Sequence, residues 1–326
     1  MARIESSYER SRVGSLAELF AGRRVAITGG TAGLGLALVR EFVGHGADVA
    51  FIARKMEGVV GVAQEYGRAH GIVGDVCDKE DTHRIALQVL GALGGLDILI
   101  NNASDLGPVP LQLLADTQCE DLERALATNV VGPFRLTKTL LGSLAASARA
   151  RRGAVVLNVS SDAAVTPYPR WGAYGSSKAA LRHMTLIWEQ ELAATGVRCI
   201  SVDPGDMDTA LHAAAVPDAD VSSLKRPETA AREIAELIAA ALRAGAEPAT
   251  APAFPAAAAE PTAPRPPTAT AQPTAAVPPA ATTRPMAAAP PTATTRPAAA
   301  APPTAAAPPD VRPRPQLRWN SHDRSQ

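Results

Sequence analysis

The order of apolar and polar positions divides the 326-residue chain into two unlike parts. Between about residues 23 and 244, short apolar runs alternate with longer stretches whose apolar positions recur every three or four residues. The runs at 24–28, 48–53, 72–73, 97–101, 154–160 and 198–202 are mostly unbroken, as in strands buried on both faces. Helical spacing predicts helices over 34–45, 57–70, 79–93, 119–148, 172–195 and 228–243. Strand and helix in alternation predict a parallel sheet covered on both faces. Right-handed crossovers make it a doubly wound α/β sheet of six strands, with ligands at the strands' carboxyl ends.

After about residue 245 this pattern disappears. Residues 246–309 are mostly Ala, Pro and Thr, and the segment 281–292 recurs almost unchanged at 293–304. Such side chains bury too little surface to offset about 1–2 kcal/mol of backbone entropy per residue. A disordered, partly polyproline-II tail over 246–326 is therefore expected, behind a folded domain over 23–245 and an N-terminal extension over 1–22.

Composition narrows the partners. Lys+Arg and Asp+Glu balance at 32 each, so no global field draws the chain to nucleic acid or an anionic membrane. No apolar run approaches the roughly 18 residues of a membrane span. Residues 1–10 carry charges where a signal peptide needs an apolar stretch. Cys77, Cys119 and Cys199 have no metal or redox spacing and suit reduced thiols, so a cytoplasmic location is expected. The six histidines form no metal pattern.

The first predicted strand runs straight into Thr28-Gly-Gly-Thr-Ala-Gly-Leu-Gly35 and then a helix. Gly29, Gly33 and Gly35 permit a tight turn and close approach of backbone to a diphosphate, with Thr31 and Leu34 between them, although a glycine turn can also be purely structural. The helix start supplies free N–H groups for that diphosphate. After the second strand, an acidic residue would bind both ribose hydroxyls of NAD. This chain has Ala53-Arg54-Lys55, and Arg54 suits a 2'-phosphate, so NADP(H) is favoured over NAD(H), with a solvated Arg-Lys pair as the alternative. Asp75 and Val76 after the third strand are placed for adenine, or Asp75 serves a turn.

Tyr174 and Lys178 lie four apart on one face of a predicted helix. At about 4 Å and an effective dielectric of about 20, the ammonium would attract a phenolate by roughly 4 kcal/mol, lowering the phenol toward a usable proton donor. The spacing alone is also common on solvated helix faces.

With Thr28 to Gly35, Asn101-Asn102-Ala103, Asn129, Ser161, Tyr174, Lys178 and Pro204-Gly205 in this order, the chain resembles the single-domain short-chain dehydrogenases/reductases over residues 23–243. The resemblance implies a Rossmann-type fold and an NAD(P)(H)-dependent oxidoreductase that interconverts a carbonyl and an alcohol. Its tetrad falls on Asn129, Ser161, Tyr174 and Lys178. Ser161 would bond the carbonyl oxygen, Tyr174 would move the proton, Lys178 would lower the tyrosine pKa and hold the nicotinamide ribose, and Asn129 would anchor a water. Ser161 is chosen over Ser160 because it lies 13 residues before Tyr174, the family's usual spacing. Asn102 and Ala103 would line the cofactor cleft, with Pro204, Gly205 and Thr209 on its nicotinamide side.

The resemblance also implies a homodimer through the two long helices at 119–148 and 172–195. The family's seventh strand has no counterpart here, which places tetramer contacts in doubt. Ser104 stands where the family usually has glycine. Together with Leu106, Tyr168, Trp171, Met207 and Leu211 it is a candidate for the substrate pocket. Arg170 is either an anion anchor or a solvated loop residue, and His183 and His212 are read as polar surface or helix positions. Two other readings stay open: an epimerase or dehydratase using the cofactor transiently, and a nucleotide-binding scaffold whose tail recruits partners, with 317–319 as its docking motif.

Overall fold

The computed structural model describes residues 15–246. Residues 1–14 of the expected extension and 247–326 of the expected tail lie outside that range. Six parallel strands form one sheet in the order β3-β2-β1-β4-β5-β6. They are β1 Arg24–Thr28, β2 Asp48–Ala53, β3 Ala69–Val73, β4 Ile98–Asn101, β5 Ala154–Val159 and β6 Val197–Val202. The order reverses direction between β1 and β4, which leaves a crevice at their carboxyl ends.

Alternate residues along each strand serve opposite faces. Val25, Ile27, Phe51, Ile98 and Ile100 point to one side, under α2 Gly33–Gly44, α3 Met56–Glu65 and α9 Pro227–Ala246. Ala26, Ile52, Leu99 and Val156 point to the other, under α4 Lys79–Leu93, α6 Gly132–Arg149 and the end of α7 Gly172–Leu192. Both faces are covered by apolar clusters, which explains strands without alternating polar positions. No helix of the described residues is long and apolar enough to cross a membrane.

Three differences from the predicted elements have physical causes. The predicted helix 57–70 stops at Glu65 and β3 begins at Ala69. β3 is an edge strand with exposed His70 and Gly71, so its pattern is faint; a Cβ on Gly71 would lie 2.4 Å from Val59 Cγ1, and glycine lets the strand pass beneath α3. The predicted helix 119–148 is α5 Cys119–Leu126 and α6, joined by a π-turn over Ala127–Val131. Pro133 has no N–H for the carbonyl of Asn129, so regular α-helical bonding cannot continue there.

The third difference is a short helix, α1 Leu16–Phe20, within the expected extension. It is started by a capping box in which Ser15 N donates to Glu18 Oε2 at 2.8 Å and Ser15 Oγ accepts from Glu18 N at 3.2 Å. It buries Phe20 edge-on against Phe42, ring centroids 4.9 Å apart.

At the amino end of the sheet, Asp97 is fully buried and holds two arginines. Arg24 Nη2 lies 2.6 Å from its Oδ1, and Arg152 donates through Nε and Nη2 at 3.0 and 2.7 Å. Ser147 Oγ also donates to Asp97. These bonds hold the Asp97 carboxyl far below the ordinary carboxylate range despite its burial.

Candidate active site

The glycine turn folds against the end of β4. Gly29 and Gly33 have φ of 72° and 50°, and a Cβ on Gly35 would lie 2.0 Å from the Gly29 carbonyl oxygen, so no other residue fits there. Across the switch point, Thr28 Oγ1 accepts from Asn102 N and Ala103 N, both at 2.9 Å, and Asn102 Nδ2 donates to the Thr28 carbonyl at 2.8 Å. Helix α2 starts at Ala32 with no side-chain cap and no acidic residue in its first turn. Its first N–H groups and positive dipole end are thus left to the cleft.

Arg54 and Lys55 follow β2 on the wall of the same cleft. Among the described residues neither forms an ion pair. Gly58 lets the start of α3 approach Thr31, which also faces the cleft. Asp75 serves a turn, its Oδ1 accepting from Cys77 N at 3.1 Å, and with Val76 it lines the cleft.

At the other end of this cleft, of about 1140 Å³, lie Ser161, Tyr174 and Lys178. Helix α7 places Tyr174 and Lys178 on its buried face, 7% and 2% exposed. Lys178 Nζ donates to the Val159 carbonyl at 2.8 Å and lies 5.4 Å from the centre of the tyrosine ring. Ser161 caps a short 3-10 turn, accepting from Ala163 N at 3.2 Å and donating to Asp162 Oδ1 at 2.9 Å. Trp171 packs edge-on against Tyr174, centroids 5.7 Å apart, and Tyr168 lies 6.5 Å beyond Trp171.

Asn129 is not on the cleft wall. It is fully buried in the π-turn, where Oδ1 accepts from Asp105 N and Nδ2 donates to Asp105 O and Ser177 Oγ, each at 2.8 Å. Ser177 Oγ in turn donates to the Tyr174 carbonyl at 2.7 Å. The side chain therefore pins the loop after β4 to helix α7 just beneath Tyr174.

A profile of the short chain dehydrogenase family matches residues 23–220. The chain belongs to the short-chain dehydrogenases.

Like its relatives, this short-chain dehydrogenase is an oxidoreductase acting on CH–OH groups with a nicotinamide cofactor. It is 35% identical to a serine 3-dehydrogenase of Agrobacterium fabrum over 187 residues, which is 57% of this chain and 72% of the relative. It is 30% identical to a glucose 1-dehydrogenase of Gluconobacter oxydans over 231 residues, 67% of this chain and 84% of the relative. A solved 3-ketoacyl-(acyl-carrier-protein) reductase from Brucella melitensis, complexed with NADH, superposes with a TM-score of 0.63 at 26% identity. That match covers 67% of this chain and 91% of the other.

One electrostatic expectation is overturned. Burial pushes the Tyr174 phenol up to about 12, with Ser161 and Ser104 hydroxyls pulling it back and Asp203 and Asp162 adding to the rise. Burial also takes the Lys178 ammonium down to about 8. Loss of water by both groups, rather than attraction between them, sets the two directions. Helix periodicity gives the spacing but not the depth.

Every other residue predicted to hold the cofactor lies on the cleft wall, Leu34, Pro204, Gly205 and Thr209 included. So do the six predicted pocket residues. Thr209 caps the short helix α8 Ala210–Ala215 through His212 N and reaches across to Gly33. Asn101 turns away from the cleft, as residues one apart on a strand must. Its Nδ2 donates to Asn158 Oδ1 at 2.8 Å, and Asn158 Nδ2 donates to Thr185 at 2.8 Å, a buried polar ladder tying β4 and β5 to α7. Arg170 and His183 are exposed and off the cleft wall, whereas His212 lines the cleft.

Sequence reasoning missed Lys225. Its Nζ donates to the Pro204 carbonyl at 3.0 Å and pairs with Glu233 at 2.7 Å, fastening the loop after β6 to α9. A lone lysine in a linker carries no sequence signal for that role.

Proposed function

We propose that the chain interconverts a carbonyl and an alcohol with NADP(H) favoured over NAD(H), Tyr174 being the proton donor and acceptor. The observation that carries this reading is the single cleft in which Tyr174, Lys178 and Ser161 share a wall with the glycine turn. The turn fits a dinucleotide because Gly29 and Gly35 leave no room for a Cβ beside backbone N–H groups that a diphosphate would occupy. Thr31, Arg54 and Lys55 would hold a 2'-phosphate, and the missing ion-pair partner for Arg54 favours that role. When bound, the nicotinamide supplies or takes the hydride.

Ser161 hydrogen-bonds the substrate oxygen, and Tyr174 Oη gives its proton to that oxygen in reduction or accepts it in oxidation. A phenol held near 12 stays protonated at neutral pH, which suits reduction. Lys178, charged below about 8, stabilises the phenolate that follows. The Asn129 carbonyl, deprived by Pro133 of its usual helical donor, is the group left to hold a water leading to Lys178, since the Asn129 side chain is already engaged.

The same reading places the catalytic domain over 23–245 and the enzyme in the cytoplasm, supported by three free cysteines. It pairs two copies through the long helices, supported by exposed Phe134, Leu186 and Ile187 on α6 and α7. The deciding experiment is Tyr174→Phe assayed with both nicotinamides on a carbonyl and alcohol panel. Turnover should fall by at least about a thousandfold while cofactor binding persists. Substantial residual turnover would remove Tyr174 from the proton path.

A further inference from the structure

Asp162 follows Ser161 directly, and its carboxylate is fixed from two sides. Oδ1 accepts from Ser161 Oγ at 2.9 Å, and Oδ2 accepts from Tyr168 Oη at 2.7 Å. A carboxylate has about four lone-pair sites, so each oxygen keeps room for another donor. The residue is exposed and lines the cleft, where a bound molecule can supply that donor. The Tyr168 bond, helped by Ser161, outweighs desolvation and lowers the Asp162 pKa, so the group is ionised at neutral pH.

No cation of the cleft wall neutralises it. Among the described residues Asp162 forms no ion pair, whereas Asp105 pairs with Arg124 at 3.2 Å and Asp206 lies 3.7 Å from His212 Nε2. Arg54 and Lys55 lie at the β2 end of the cleft, and Lys178 is bonded to the Val159 carbonyl. Arg170, the anion anchor that the sequence allowed, is off the wall. Beside the carboxylate stand two rings that line the cleft. Tyr168, the donor to Asp162, is 42% exposed, and its ring centre lies 6.5 Å from that of Trp171. A fixed carboxylate next to aromatic rings suits an ammonium, through charge pairing and cation–π attraction, and repels a second carboxylate.

We propose that Asp162, with Tyr168 and Trp171, binds an ammonium group of the substrate, so that the enzyme prefers amino alcohols and amino ketones to their neutral and anionic counterparts. This rests on the catalytic reading above, because Ser161 sets the distance. Its Oγ, which bonds the reacting oxygen, lies 2.9 Å from Asp162 Oδ1, so an amine on the carbon next to the reacting one, or on the carbon after that, spans the gap. The ammonium also meets the carboxylate's demand for a donor, leaving the single proton of Ser161 for the reacting oxygen.

The test uses the full chain with NADP+ near pH 7, where an alkyl amine is charged. One series is 1-amino-2-propanol, 2-butanol and lactate; a larger one is 2-amino-1-phenylethanol, 1-phenyl-1-propanol and mandelate. Within each, the group beside the carbinol is an aminomethyl, an ethyl or a carboxylate. In at least one series kcat/KM for the amine should exceed that for the ethyl compound by about tenfold or more, the worth of one charge-assisted bond, with the hydroxy acid poorest. Asp162→Asn, which keeps an acceptor for Tyr168, should bring the amine-to-ethyl ratio to within about threefold of unity. Asp162→Glu should restore part of it. Calorimetric binding of the amine and the ethyl compound, to cofactor-free protein and to the NADPH complex, should give the same preference without turnover. The proposal is overturned by a hydroxy acid that ranks first, or by a ratio that Asp162→Asn leaves intact while both rates fall equally. It is also overturned by a preference lost in Asp206→Asn instead, or by amine and ethyl compound binding alike. Failure of the catalytic reading is separate: it shows as retained turnover in Tyr174→Phe whatever the ratio.

Discussion

Lys178 Nζ donates to the Val159 carbonyl at 2.8 Å, so the ammonium is anchored to the end of β5 rather than to the tyrosine four residues before it. Its pKa of about 8 gives a pH signature. The charged form is present below that value and is lost as pH rises through it. Reductive kcat/KM should therefore fall on an alkaline limb near pH 8. Arginine stays charged to above about pH 12, so in Lys178→Arg that limb should vanish whatever rate remains. A wild-type profile that stays flat to pH 10 would exclude this role for the lysine.

Arg54→Ala should weaken NADPH much more than NADH. A charge-assisted pair is worth about 1.5–3 kcal/mol, or roughly tenfold to a hundredfold in the dissociation constant. Titration by cofactor fluorescence reads both constants, and equal losses would argue against a 2'-phosphate contact.

Gly35→Ala puts a methyl 2.0 Å from the Gly29 carbonyl oxygen, a position backbone cannot vacate cheaply. Cofactor affinity should drop beyond detection, and the melting temperature should fall as well. Gly44→Ala is the control, because a Cβ there meets nothing within 4 Å.

Asp97→Asn removes the carboxylate that pairs with both Arg24 and Arg152. Losing charge-assisted bonds to these partly exposed arginines costs about 1.5–3 kcal/mol, or roughly 3–12 °C in melting temperature at this size. The sign with pH follows from the depressed carboxyl. Its contribution is complete above the unfolded value of about 4 and is lost as pH falls below it. Wild type and Asp97→Asn melting curves should converge at low pH; a constant gap down to pH 2 would contradict this.

The elements and the site were legible to different depths. The Gly29 to Gly35 turn and the Tyr174–Lys178 pair could be read because each is a local spacing with a steric or helical reason. The buried state of that pair could not, and with it went the direction of the Tyr174 pKa. The π-turn at Ala127–Val131 was invisible because apolar spacing runs through it, although Pro133 was a signal available in the chain. The short helices α1 and α8 are below the length at which periodicity speaks, even with the Ser15–Glu18 capping box present. His212 and Lys225 reach the cleft and its loop from segments distant in sequence, so only folding reveals them.

Strand β4 is four residues long, with the Asp97 charge knot just before it and the Asn102 clasp on Thr28 just after it. Each fastening lies on the neighbouring strand β1 at opposite ends, so the pair works as an index pin and its latch. A slip of one residue would break both at once and turn Asn101 into the cleft in place of Asn102. The alignment of cofactor wall and pocket wall is thereby set at the far end of the sheet, where substitutions that never touch a ligand should still misalign one.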